Sequence, residues 1–276
     1  MDERIYLARA ALHMWEEPCI SGTKGSGAVF FSGCGLRCCF CQNHDIAMGS
    51  RGRAVSVERL GEIFLELKEK GAANINLVTG AHYVPQIIEA LDMARRKGLD
   101  IPVVYNSSGY EKTETLKLLE GYVDIYLPDL KYLDPELAQK FSYAPDYVQA
   151  AKAAIREMVR QTGKCEFGED GYIRKGTIVR HLILPGHTGN SIKALRYLHE
   201  TYGEDIYISI MNQYTPVRKF VEFKELNRKV TKREYEKVLD AAVDMGIQNG
   251  FIQEGETASE SFIPDFDYEG VEKNTP

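Results

Sequence analysis

The chain of 276 residues has no apolar run approaching the roughly 18 residues that a membrane-spanning helix needs. It also lacks any block of basic residues or basic stripe interleaved with aromatics, and its formal net charge is −6, so nucleic acid is not expected as a partner. The opening residues, Met1-Asp2-Glu3-Arg4, do not follow the basic-then-apolar order of a secretory leader. No internal repeat or low-complexity stretch occurs. Tryptophan is present once and cysteine six times, four of the six in one cluster, which suits a reducing compartment and a metal site better than a disulfide framework. These absences, with 44% apolar content, predict a cytoplasmic domain with a sizeable core, at a length that one α/β barrel fills.

The clustered cysteines lie within Gly33-Cys34-Gly35-Leu36-Arg37-Cys38-Cys39-Phe40-Cys41. The spacing Cys34-x3-Cys38-x2-Cys41 leaves three thiolates on one tight loop. Cys39 abuts Cys38 and is poorly placed to face the same group, so it reads as a small hydrophobe. A [4Fe–4S] cube normally takes four thiolates. Three would leave one iron open to a small molecule. An all-cysteine zinc site is the alternative, but structural zinc usually takes two separated cysteine pairs rather than one loop. Cys19 and Cys165 are isolated and read as packing residues.

Along the chain, apolar spacing at Ile5, Ala8, Leu12 and Trp15 predicts an amphipathic helix over residues 3–16. A Gly/Ser loop, Ser21 to Gly27, precedes a buried strand at 28–31 that runs into the cysteine loop. Strands are then predicted at 74–78, 101–105, 123–127, 177–184, 206–211 and 251–253. Helices alternate with them at 56–70, 83–97, 111–120, 145–162, 191–202 and 231–245, and residues 163–176 form a loop or hairpin. Ser56 is a candidate N-cap, and Thr231 with Glu234 a capping box. Residues 256–276 form an acidic tail without periodicity. Six to seven strand–helix units fit a barrel or an open doubly wound sheet. Polar clusters close five of the strands, and their convergence on one mouth favours the barrel.

The loop Cys34-x3-Cys38-x-Phe40-Cys41 following a strand resembles the signature of the radical S-adenosylmethionine (SAM) superfamily, over roughly residues 5–255. Gly22-Thr23-Lys24-Gly25-Ser26-Gly27, Cys41-Gln42-Asn43, Asp129-Leu130-Lys131 and Leu184-Pro185-Gly186 point to the pyruvate formate-lyase activating enzyme-like group. The resemblance implies an α/β fold, a partial (β/α)6 TIM-like barrel over 27–255, preceded by an extension over 1–26 and followed by the irregular tail.

It further implies one [4Fe–4S] cluster on Cys34, Cys38 and Cys41, with SAM chelating the open iron. One electron would cleave SAM to methionine and a 5′-deoxyadenosyl radical. Phe40 would line the adenine. Thr79 and Gly80 stand where the superfamily's Gly-Gly-Glu segment binds the SAM amino group, although the glutamate is missing. Ser107 lies in Asn106-Ser107-Ser108-Gly109, where activating enzymes tend to carry Asp-Thr-Asn-Gly. Asp129 would accept from the ribose hydroxyls or a cation, and Lys131 and Arg180 would pair with the SAM carboxylate. Tyr214 stands where a histidine is expected. The implied substrate is a glycine of a partner glycyl-radical enzyme, with flavodoxin or ferredoxin as electron donor. Modification of another peptide or a small metabolite is the alternative enzyme reading, and an electron-transfer or scaffold protein the non-enzyme one. The segment His13-Met14-Trp15-Glu16-Glu17-Pro18 reads either as a helix end packed on the barrel or as a wall of the substrate mouth.

Overall fold

The structure is a computed structural model that describes residues 4–253 and 264–272. It begins with a strand, β1 (Ile5–His13), followed by the one-turn helix α1 (Pro18–Ser21) and β2 (Ser26–Phe31). The cysteine loop, a short helix α2 (His44–Ala47) and a small strand β3 (Arg53–Val55) lead into α3 (Val57–Glu69). The alternation continues with β4 (Ile75–Val78), α4 (Val84–Arg96), β5 (Val103–Ser107), α5 (Thr113–Leu118), β6 (Ile125–Pro128), α6 (Pro135–Ser142) and α7 (Tyr147–Thr162). It closes with β7 (Glu166–Phe167), β8 (Ile173–Leu182), α8 (Thr188–Tyr202), β9 (Tyr207–Met211), α9 (Lys232–Asp244) and β10 (Gly250–Ile252).

The sheet order is β10-β9-β8-β6-β5-β4-β2-β1-β3, with β7 attached to β8. From β2 to β10 every neighbouring pair is parallel. Six of those strands are followed by a helix, which is the expected partial (β/α)6 barrel, and β10 adds a last short parallel strand. The sheet does not close, since β10 and β3 lie at its two ends. Side chains alternate across each strand. Val103 and Tyr105 face the outer cluster beneath α3 and α4, whereas Val104 packs inward with Ile125, Leu127 and Ile178.

The helix expected over 3–16 does not form among the described residues, 4–16. Ile5–His13 pairs antiparallel with β2, His13 opposite Ser26 and Leu7 opposite Phe31, and its start pairs with β3. The reason is that both faces of this segment are covered. Ile5, Leu7 and Ala10 join the cluster under α3 while Ala8 packs against Ala28 and Phe30 on the other side. Burial on two faces, with a register irregularity between Leu7 and Arg9, produces spacings of three and four that mimic a helical stripe.

Elsewhere α1, α2, β3 and α6 are elements the sequence pattern does not predict, and the remaining differences are at boundaries. β5 starts at Val103 and runs through Ser107, because Pro102 has no N–H to give a ladder and the buried polar residues Asn106 and Ser107 belong to the strand. Residues 166–167 and 173–175 form the hairpin that extends β8. Ser56 and Thr231 cap α3 and α9, the latter in a full capping box. Residues 256–263 and 273–276 of the expected tail lie outside the described residues. Residues 264–272 carry no helix or strand, yet they are tied to β1. The Tyr268 N–H donates to Ala8 O at 3.1 Å, and the Ala10 N–H to Glu269 O at 2.8 Å. Arg9 donates to Asp267 Oδ1 at 2.7 Å and to Glu269. Arg59 donates to the carbonyls of Val271 and Gly270, each at 3.2 Å, and Val271 is buried.

Candidate functional site

The cysteine loop leaves the end of β2 through Ser32 and Gly33. Gly33 holds φ of 100°, a conformation open to glycine, and its N–H donates to Ile46 O at 2.8 Å. The far side of the loop is fastened to α6. The Cys39 N–H donates to Phe141 O at 2.8 Å, and Ser142 Oγ donates to Cys38 Sγ at 3.0 Å. Cys34, Cys38 and Cys41 line a cavity of about 480 Å³. Cys39 does not line it and lies 7% exposed in the apolar cluster with Leu36 and Phe40. All of these cysteines are free thiols. Burial, followed by the charge of the neighbouring cysteine sulfurs, pushes the Cys41 thiol up to about 12, and burial also raises Cys34. Coordination to iron reverses that cost, because a bound thiol is deprotonated. The donor set therefore fits a cluster held on three thiolates, with Cys39 set aside. Among the described residues no three His, Cys, Asp or Glu side chains converge as ligands of one ion, whereas the thiolates of a cube are bound to different irons and sit apart.

The same cavity is lined by Phe40, Thr79, Ser107, Asp129, Lys131 and Arg180. The parallel sheet brings these together by placing the C-terminal ends of β2, β4, β5, β6 and β8 side by side, as expected of such a fold. Thr79 follows β4 with φ 61° and ψ 40°. That left-handed conformation is costly for a β-branched residue, and it is held by the Thr79 N–H donating to Asn106 O at 2.9 Å. Gly80 does not line the cavity. A Cβ there would stand 2.7 Å from Ile87 Cδ1, so this glycine serves close packing of the turn on α4. Ser107 Oγ donates to Glu111 Oε1 at 2.8 Å and accepts from the Gly109 N–H at 3.0 Å. Burial pushes the Glu111 carboxyl up to about 7. Tyr214 is buried behind Phe40, ring centroids 6.1 Å apart, and donates to Leu226 O.

Asp129, Lys131 and Arg180 form one ionic chain. Lys131 Nζ lies 2.6 Å from Asp129 Oδ2, and Arg180 Nε 3.0 Å from Asp129 Oδ1. Burial works against the Asp129 carboxylate, but Arg180 and Lys131 outweigh it and hold it below the usual range. Arg180 continues to Glu16 Oε2 at 3.2 Å and to Asn106 Oδ1 at 2.7 Å. Both cations expected for the SAM carboxylate are thus already paired within the protein. Glu16 Oε1 accepts from Asn76 Nδ2 at 3.0 Å and Asn106 Nδ2 at 3.2 Å.

Sequence reasoning placed no role on Glu16, Glu17, Asn76 or Asn106. The segment His13–Pro18 lines the cavity, which is the second of its two sequence readings, and Trp15 is 58% exposed rather than packed on the barrel side. Cys19 and Ile20 of α1 follow it into the inward-facing cluster. Two adjacent acids before a proline, next to the sole tryptophan, were the available signal. Of the histidines, His82, His44 and His187 lie outside the cavity lining.

Barrel, loop and cavity together define an enzyme class. The family profile described as "Radical SAM superfamily" matches residues 28–198, more than half of the chain, and the chain belongs to that superfamily. Membership implies a [4Fe–4S] cluster and SAM. At finer grain, an uncharacterised protein of Methanocaldococcus jannaschii is 27% identical over 244 residues, covering 86% of this chain and 67% of that one. The pyruvate formate-lyase-activating enzyme of Clostridium pasteurianum is 27% identical over 113 residues, covering 39% of this chain and 46% of the enzyme. Among solved structures, Streptococcus suis SuiB bound to precursor peptide SuiA matches with a TM-score of 0.53 at 14% identity, over 81% of this chain and 47% of that chain. That likeness is one of fold. The matched region spans about half the length of the latter two proteins. Among the described residues no helix is long and apolar enough to cross a membrane.

Proposed function

We propose that this radical SAM enzyme holds its cluster on Cys34, Cys38 and Cys41 and directs a 5′-deoxyadenosyl radical at a carbon–hydrogen bond of a peptide or protein, first of all a glycine Cα of a glycyl-radical enzyme. The observation that carries the reading is that these three thiols, without Cys39, open on the same cavity as Thr79, Asp129, Lys131 and Arg180. A reduced cluster held on these thiolates would supply the electron needed to cleave SAM.

The chain's own residues bind, orient and exclude water. Phe40 offers an apolar ring to the adenine. Ser107 and Asp129 offer acceptors to the ribose, and the strand end at Thr79 offers backbone groups to the amino acid moiety. Arg180 presents the bidentate fork that suits a carboxylate; to do so it would share itself between Asp129 and the ligand. Gly80 acts only through the shape of the Thr79 turn.

A glycine Cα target agrees with the partial likeness to an activating enzyme, and a peptide target with the fold shared with SuiB. A small flavodoxin or ferredoxin is the proposed donor. The test is anaerobic reconstitution with iron and sulfide, followed by dithionite and SAM. Release of methionine and 5′-deoxyadenosine is expected, and failure to bind or cleave SAM would overturn the reading. An EPR search for a glycyl radical after incubation with candidate partner proteins tests the finer substrate.

A further inference from the structure

The two carboxylates of Trp15-Glu16-Glu17-Pro18 face the same cavity but are not equivalent. Glu16 is fully satisfied by Arg180, Asn76 and Asn106. Glu17 is 9% exposed. Its Oε2 is buried without any hydrogen-bond partner among the described residues. A buried acceptor left unmade is costly, and such an atom in a native fold calls for an explanation.

The charges of the cavity show the same deficit. Its described lining holds three carboxylates, Glu16, Glu17 and Asp129, against two cations, Lys131 and Arg180. Both cations are engaged by Asp129, and Arg180 also by Glu16. His13 also lines the cavity, but burial, then Arg9 and Arg180, push its pKa down, so it adds no charge. Among the described residues no cation forms an ion pair with Glu17, and burial pushes its carboxyl up, so it gains most from a cation brought to it. The neighbours suit a cation as well. Trp15, Phe30 and Phe251 line the same cavity, Phe251 stands in register beside Ser209, and aromatic faces attract ammonium and guanidinium groups.

We propose that Glu17 is the recognition residue for a cationic group of the substrate, a protonated amine or a guanidinium, which it holds beside the carbon under attack. The proposal rests on the reading that substrate enters this cavity, and it narrows the substrate to one carrying that charge, either a free amine or a basic residue flanking the target in a peptide. Oε2, which has no hydrogen-bond partner among the described residues, is left for the ligand. Pro18, which opens α1, restricts the backbone after Glu17.

The test is titration calorimetry on reconstituted protein with SAM bound. The probes are n-butylammonium, butylguanidinium and acetyl-glycyl-lysine amide, each against a neutral counterpart: n-butanol, butyramide and acetyl-glycyl-norleucine amide. The cations are expected to bind at least about tenfold more tightly. Glu17→Gln should erase that preference and Glu17→Asp should keep part of it. Equal binding of charged and neutral probes, a preference that survives Glu17→Gln, or no binding by any probe would each overturn the proposal. If Glu17→Gln does not fold, the paired probes on the unaltered protein decide alone. A tighter free amine or a tighter peptide then names the source of the charge. SAM cleavage is read separately: cleavage without a cation preference sinks only this proposal, and a preference without cleavage sinks only the radical reading.

Discussion

His181 sits on β8 with no exposed surface, between Leu130 O, 2.6 Å from Nδ1, and Ser191 Oγ, 2.9 Å from Nε2. The carbonyl can only accept, so Nδ1 carries the proton and Nε2 accepts from the serine. This ring braces Asp129-Leu130-Lys131, the segment that supplies two of the cavity's charges. Burial pushes its pKa down to about 4, with the Leu130 carbonyl and Asp129 pulling the other way. In the unfolded chain the imidazole titrates near 6.5. The unfolded chain therefore takes up a proton that the folded one refuses once pH falls below that value. Stability from this group is present above pH 6.5 and is lost as pH falls towards 4. The gap corresponds to roughly 3 kcal/mol in all, of which about 2 kcal/mol is lost between pH 7 and pH 5. The assay is urea unfolding of the cluster-free protein across that range, compared with His181→Gln, which keeps a donor but cannot titrate. The variant should start less stable and show a shallower loss on acidification, the two curves converging by about 2 kcal/mol. Parallel curves would refute the reasoning.

Cys38→Ala should abolish the visible absorption of a reconstituted cluster, while Cys39→Ala should retain it; equal loss in both would mean the ligand set is misassigned. Tyr147 is buried, and its hydroxyl accepts from the Lys131 N–H at 2.9 Å while facing Asp129 O at 2.9 Å and Ser108 O at 3.0 Å. Tyr147→Phe strands that N–H and should cost ~2–4 kcal/mol in urea unfolding at unchanged slope. Gly270 has φ of 72°, and a Cβ there would collide with the Ala10 carbonyl oxygen. Gly270→Ala should therefore release residues 264–272 from β1 at a cost of ~1–3 kcal/mol, seen as faster limited proteolysis; unchanged cleavage would contradict it.

The cysteine spacing, the alternating strands and helices, and the strand-end positions of Thr79, Asp129, Lys131 and Arg180 were legible because they are local. β1 was not, because its pattern is set by two covering layers that meet it only in the folded sheet. Glu16 escaped for a related reason. Its partners, Asn76, Asn106 and Arg180, lie 60, 90 and 164 residues away, and nothing in the spacing of acids near residue 16 encodes them. Lys131 and Arg180 were expected to wait for a ligand carboxylate. Burial of four charges together makes internal pairing the cheaper arrangement without one.

The tie between β1 and residues 264–272 brings two distant parts of the chain together at the cavity. Arg9 and Glu269 are 260 positions apart, Pro264 lines the cavity, and Phe266 packs against Phe30 with ring centroids 5.5 Å apart. The cysteine loop directly follows β2, but part of the wall of its cavity is supplied by Pro264, far along the chain. A cluster bound before this segment docks would face water on that side. Docking of residues 264–272 on β1 is thereby coupled to enclosure of the site.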